Sequence, residues 1–360
     1  MATEIATAYV SLVPSFSGGS AAIATQLGAP AAAAGATASK KFGGSFVGGL
    51  ATLGKRVGPL LGAAAIAGVV KSAVSLEAQF SKTMNTLQAA TGAPAAQLDK
   101  LSELAITMGA DTVFSANEAA DAMLELAKSG ISPATIEAGA LQGTLTLAAA
   151  GELDMASAAT VAGNALNTFG LRGKDMNMVA AALAGAANAS TASVDSMAQA
   201  LQQVGPDAAD AGLSIQETTA ALAAFENAGI KGSDAGTSLK TMLARLVPNT
   251  EKAKGAMEDL GLKFTNANGE FVSLSEMAGR IQTSFAGLSA EERTLAMNTI
   301  FGSDARRAAT ILMNEGQQGI RGYIKATSDQ SAAEKMAAAA MKGTAGALES
   351  MKGSIETAML

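Results

Sequence analysis

One short phrase recurs along this chain: a residue, then glycine, then isoleucine or leucine. It occurs as Ser129-Gly130-Ile131, Phe169-Gly170-Leu171, Ala211-Gly212-Leu213, Ala228-Gly229-Ile230, Leu260-Gly261-Leu262 and Ala286-Gly287-Leu288. Each instance closes a stretch of about fifteen residues with helical apolar spacing. Glycine just past a helix adopts the left-handed conformation without a Cβ clash, and the apolar residue after it folds back onto the last turn, as in a Schellman ending. Helix starts follow these stops. Ser115 with Glu118, Ser214 with Glu217, Ser273 with Glu276 and Ser289 with Glu292 have capping-box spacing, and Ser132-Pro133 puts proline at a first helical position. Punctuation this dense forbids a single rod and dictates short helices joined in series.

The spacing between the stops agrees. Met155, Ala159, Ala162, Leu166 and Phe169 step by four and three, and Leu239, Met242, Leu243 and Leu246 share one face. The period of the phrase wanders, so the expectation is serial helical hairpins rather than a solenoid of fixed repeat. Residues 262–274 break the pattern. Leu262 and Phe264 precede Asn268-Gly269, and Phe271 and Leu274 follow, which predicts a small β-hairpin turning at Asn268 and Gly269. From Gly319 onward Met336, Ala340, Gly343, Ala347, Met351, Ser354 and Ala358 keep helical spacing, which predicts a long final helix whose small-residue stripe meets copies of itself. The expected fold is therefore all-α, with serial short helices and helical hairpins, one β-hairpin and a long terminal helix. The expected organisation is an Ala/Gly/Ser-rich segment over 1–56, an apolar helix over 57–90, a core domain over 91–313, and over 314–360 the start of a long helical region interrupted in mid-period.

The interior of such a body must be built from small side chains. Hydrophobic residues make up 49% of the chain, but aromatics only 4%, and there is no tryptophan. Cysteine and histidine are absent, which removes thiolate chemistry, the commonest general base and the commonest metal ligand. The reading is a non-enzyme with no catalytic residue, no metal and no cofactor. The net charge of −6 excludes general nucleic-acid binding. Lys40, Lys41, Lys55 and Arg56 against Glu4 alone make the front end basic. The run Val57–Val70 is apolar but too short to span a bilayer by itself. Its Leu60, Leu61, Ile66, Val69 and Val70 are candidate membrane or partner contacts.

Closely spaced glycines and a lysine crowd Asn227–Gly236 and invite comparison with a phosphate-cradling loop. The spacing fails. That motif places its lysine directly after the last glycine and follows a strand, whereas Lys231 precedes Gly232 and the preceding segment is helical. The economical reading is a helix-cap motif made of Gly130, Gly170, Gly212, Gly229, Ser233, Gly236 and Gly261, with Ser233 or Asp234 capping the helix that begins there. The other polar groupings read as structure. Glu291-Glu292 is a first helical turn, Asp207 and Asp210 lack further ligands for a metal, and Arg306-Arg307 is an exposed face.

Several longer stretches resemble one family. "MGADTVFSANEAADAMLELAKSGI" from Met108, "LTLAAAGELDMASAA" after it, "AANAS" from Ala186, "ALQQVGPDAADAGLSIQETTAALAAFENAGIKGSDAGTSLKTMLARLVPNTEKAKGAMEDLGL" from Ala200 and "IFGSDARRA" from Ile300 are similar to the core of phage tail tape measure proteins. The resemblance covers roughly Thr83 to Met313, with the motifs in order. The opening "AYVSLVPSF" is similar to the starts of some members. Asp207 stands where an apolar residue is more usual, and Asn249 follows the proline of "LVPNT". The resemblance implies a structural virion protein that fills the tail tube lumen, sets tail length during assembly and leaves with the DNA. It implies tail tube protein, tail assembly chaperones and distal tail tip proteins as partners, self-association (three copies), contact with the host membrane on ejection, and residence in the host cytoplasm during assembly. The alternatives are a membrane-active, envelope-penetrating module, resting on the basic front and Val57–Val70, and a cell-wall hydrolase.

Overall fold

A computed structural model describes residues 63–340 and, beyond them, Gly353, Glu356, Thr357 and Leu360, with side chains from Ala73 onward. Contacts divide the chain after Ser72, and the unit described below begins at Ala73. Leu60, Leu61, Ile66, Val69 and Val70 lie outside the described side chains, although Ile66, Val69 and Val70 fall on helical backbone.

All regular structure among the described residues is helical. In chain order the helices are α1 (Ala63–Thr91), α2 (Ala95–Asp111), α3 (Ala116–Lys128), α4 (Leu141–Gly151), α5 (Met155–Thr168), α6 (Met176–Asn188), α7 (Val194–Asp210), α8 (Ile215–Asn227), α9 (Gly232–Ala244), α10 (Glu251–Asp259), α11 (Leu274–Phe285), α12 (Ala290–Thr327) and α13 (Ala332–Ala340). A π-helical turn, Ile136–Ala140, leads into α4, and a 3-10 turn, Gly173–Asp175, leads into α6.

The stops are chemically uniform. At Gly229 (φ 88°) the Gly229 N–H donates to Glu226 O (3.0 Å) and the Ile230 N–H to Phe225 O (2.9 Å). That is the paired bond set of a Schellman ending, with Ile230 buried behind it. Gly130, Gly170, Gly212 and Gly261 carry the same two bonds. There the N–H groups of Ile131, Leu171, Leu213 and Leu262 donate to the carbonyls of Leu126, Leu166, Ala208 and Met257 respectively. Gly287 departs from the set: its φ is not positive, and α11 ends with Ala286 in right-handed space. The same long-range bond appears once without glycine, where Leu153 N–H donates to Ala148 O (3.0 Å) across Glu152 at φ 51°. These positions should respond with opposite signs. Glu152→Gly relieves a left-handed side chain and should stabilise by about 0.5–1 kcal/mol, while Gly229→Val should destabilise by about 1–2 kcal/mol. Denaturant midpoints that move together would contradict this.

Two helices occupy the centre. In α6, Met176 and every residue from Val179 to Ala187 are buried; in α8, Ile215 and every residue from Thr218 to Glu226 are buried. A helix buried all round needs neighbours on every side. α6 is covered by α4, α8, α12 and α13, and α8 by α6, α7 and α12. Alanine and glycine make this possible. A Cβ added at Gly185 would collide with the Ala326 carbonyl oxygen of α12, and one added at Gly236 would collide with the Ala200 carbonyl oxygen of α7. Larger side chains pack elsewhere, as where Phe264 and Phe301 meet edge-to-face at 6.3 Å.

Two expectations are corrected. Residues 262–274 form no paired strands, only a single antiparallel bridge between Thr265 and Phe271. Its two bonds, Val272 N–H to Phe264 O (2.9 Å) and Asn266 N–H to Glu270 O (2.8 Å), are not continued, because the next N–H groups are already taken. Leu262 donates to Met257 O in the Gly261 ending and Leu274 to Glu217 Oε1 (3.1 Å), while the Arg280 guanidinium of α11 holds the outward-facing carbonyls of Lys263 and Thr265. The turn is organised by Asn266, whose Oδ1 accepts from the backbone of Asn268 (2.9 Å) and Glu270 (3.1 Å). The expected long terminal helix is broken after Thr327. Asp329 accepts from the Ser331 backbone (3.0 Å) and starts α13 afresh. α13 lies on α4 and α6 with Ala333 and Ala337 buried, while Ala340 of the expected stripe is exposed. Beyond it, Thr357 Oγ1 accepts from the Ala116 N–H of α3 (3.1 Å). Gly343, Ala347 and Met351 fall outside the described residues.

Candidate functional site

The glycine-rich stretch Asn227–Gly236 joins α8 to α9. Its helix start is already occupied. Gly232 N–H donates to Glu226 Oε1 (2.7 Å), and Ser196 Oγ of α7 donates to the same oxygen (2.5 Å). Glu226 is buried, and its Oε2 has no partner. An incoming phosphate would therefore meet a buried carboxylate where a phosphate loop offers free N–H groups. Ser233 and Asp234 do not cap α9, correcting that expectation: the N-cap position is Lys231, which makes no side-chain cap bond. The carboxylate from the preceding helix replaces a local cap. Gly236 is not a cap residue either. It lies inside α9, where its missing side chain admits the α7 backbone.

The surroundings are ties between elements. Asn227 Nδ2 donates to Ala189 O (3.1 Å) and Tyr323 Oη (2.9 Å), and its Oδ1 accepts from Thr191 N–H (3.1 Å). Asn167, before the Gly170 turn, acts similarly, donating to Ser129 O (2.7 Å). Asp234 takes both of its contacts from Arg307 of α12, at 2.9 and 3.1 Å. Helical periodicity carries no sign of these pairings. An asparagine two or three residues before the turn glycine was the available signal.

The remaining candidates stay apart. Asp207 pairs with Lys240 at 3.4 Å, and Glu292 closes the capping box of Ser289. Among the described residues no group of three or more acidic residues is arranged to hold a metal ion. No helix there is long and apolar enough to cross a membrane. The acids with lowered pKa are held down first by hydrogen bonds from cap partners: Ser157 for Asp154, the Arg172 backbone for Asp175, Ser289 for Glu292 and Ser331 for Asp329. Their stabilisation is present above the ordinary carboxylate range and is lost as pH falls through the lowered values. Asp121 is raised by burial, against the hydrogen bond from Thr83 (3.0 Å), and its contribution runs the other way, diminishing as pH rises.

Open concavities remain. A cleft of 170 Å³ between α5 and α7 is lined by Val161, Asn164, Phe169, Gln202 and Pro206. A groove of 530 Å³ runs beside the Gly229 turn, with Ile230, Met297, Ile311, Arg293 and Arg306 on its walls. Neither gathers convergent groups of the kind that perform acid–base or nucleophilic chemistry.

The comparisons are consistent over most of the chain. Residues 102–302 match the family described as phage-related minor tail protein. A tape measure protein of Pneumococcus phage Dp-1 is 34% identical over 300 residues, covering 83% of this chain and 26% of that protein. A probable tape measure protein of Escherichia phage P2 is 31% identical over 281 residues, covering 77% of this chain and 34% of that protein. The chain thus spans about a quarter to a third of the length of these relatives. No solved structure matches.

Proposed function

The chain belongs to the phage tail tape measure family, and from that premise we propose that the unit beginning at Ala73 is the folded body of a structural virion protein that fills the tail tube lumen, sets tail length and leaves with the DNA. The observation that carries the reading is the family match across 102–302. The architecture adds a division of labour. A helix reports length at about 1.5 Å per residue only while it stays extended. Here a Schellman turn ends one short helix after another, so this body is an assembly or docking unit and the measuring function belongs to extended helical sequence of the same gene product. Tail tube protein, tail assembly chaperones and distal tail tip proteins are its proposed partners, together with further copies of itself.

Deletion distinguishes the two parts. In the phage that encodes this chain, removing an in-frame helical stretch outside the body should shorten tails by about 1.5 Å per deleted residue. Removing α7 to α9 should instead abolish or misform tails. Electron micrographs of both mutants decide the matter, and normal-length tails from the first deletion would sink the reading.

A further inference from the structure

α12 is the longest described helix, 38 residues from Ala290 to Thr327, and it is not straight. Gly302 sits at φ 73°, ψ −176° and Gly316 at φ 60°, ψ −170°, with helical backbone on either side of each. That region is essentially restricted to glycine. The three segments so defined are fastened separately. Phe301, ending the first, packs against Phe264. Arg307, in the second, grips Asp234 of α9. In the third, Tyr323 Oη accepts from Asn227, and Thr327 Oγ1 donates to Gln216 O (2.9 Å). The second joint carries its own clip: Gln282 of α11 donates to Met313 O (3.2 Å), and its amide fills the space a side chain at position 316 would need.

We propose that α12 is a jointed shaft with two states, bent as described and straight when Gly302 and Gly316 move to right-handed helical space. The straight state is a rod of about 57 Å. Burial of Phe301, Ala305, Leu312 and Ile320 holds the bent state, and the polar fasteners adjust its population. The Arg307–Asp234 pair is more than half exposed on both sides, and Gln282 contributes a single neutral hydrogen bond, so both are weak and reversible. Release of the shaft requires α12 to separate from α6 and α8 as well as from α9 and α11. This inference rests on the backbone geometry of α12 and is independent of the tail-length reading.

The absence of cysteine allows specific spin labelling of the full chain at Leu295→Cys and Gln318→Cys, both exposed positions on opposite sides of the joints. On a straight helix these lie about 35 Å apart along the axis. The double variant Gly302→Ala, Gly316→Ala should shift the measured distance towards that value relative to the parent. A second variant, Asp234→Asn with Gln282→Leu, leaves the glycines intact and should raise the long-distance fraction about threefold or more. The rod distance gained in either variant supports the shaft. Its absence from both, whether through an unchanged distance or through loss of folding, overturns it.

Discussion

Gly236→Ala should lower the stability of the body by about 3 kcal/mol, the upper end of what overpacking costs, although it adds a single methyl group. Position 236 lies inside α9 with ordinary helical backbone, where alanine is intrinsically better than glycine by about 1 kcal/mol. Packing reverses the sign. The added Cβ would fall on the Ala200 carbonyl oxygen and crowd Gln203 Cβ, and a backbone carbonyl inside α7 cannot rotate aside. The two helices must separate, which loosens the packing of Leu239 and Met242 in the core. Gly255→Ala in α10 is the control, because nothing lies within 4 Å of its added Cβ. It should stabilise by about 0.5–1 kcal/mol. Thermal unfolding of the pair should differ by about 10 °C. Equal midpoints would show that α7 and α9 are not in close backbone contact.

Glu226→Ala should cost about 3 kcal/mol. The carboxylate satisfies Gly232 N–H and Ser196 Oγ, and its removal leaves both donors without partners at about 1–3 kcal/mol each. Glu226→Gln keeps an acceptor in the Oε1 position and changes only the oxygen that has no partner, so it should cost less than about 1 kcal/mol. Hydrogen exchange at the Gly232 amide should accelerate in the alanine variant and stay slow in the glutamine variant. Equal losses for the two would show that Glu226 acts by filling space rather than by accepting these bonds.

What is decided by near neighbours was legible in the sequence. A Schellman ending uses bonds between residues three to five apart, so Gly130, Gly170, Gly212, Gly229 and Gly261 announce their turns locally. The capping boxes at Ser115, Ser214 and Ser289 are local in the same way. The caps supplied by Asp154, Ser193 and Thr250 were missed, because none has an acidic residue three positions later to mark it. Features settled by distant groups were misread. Ser233 looks like a cap until Glu226 takes the helix start from the preceding helix. The turn at Asn268-Gly269 looks like the end of two strands until Met257 O takes the Leu262 N–H and Glu217 takes the Leu274 N–H, which stops the ladder at one bridge. The break between α12 and α13 depends on Asp329 and on Thr327 bonding to Gln216, which is far away in sequence. As for the candidate site, the failed motif spacing around Lys231 was readable, but the carboxylate occupying the helix start and the grip of Arg307 on Asp234 were not.

The seat of α13 on α4 and α6 has a consequence for synthesis. A ribosome finishes Asn188 well before it reaches Ala332, and at about 5–20 residues per second the interval is roughly 7–30 s. Throughout that time the faces of α4 and α6 that α13 covers are complete but uncovered. The nascent body thus presents an alanine-lined apolar surface to its surroundings for many seconds, long enough for another protein to bind it and for that protein's departure, rather than helix formation, to set the pace at which the body closes.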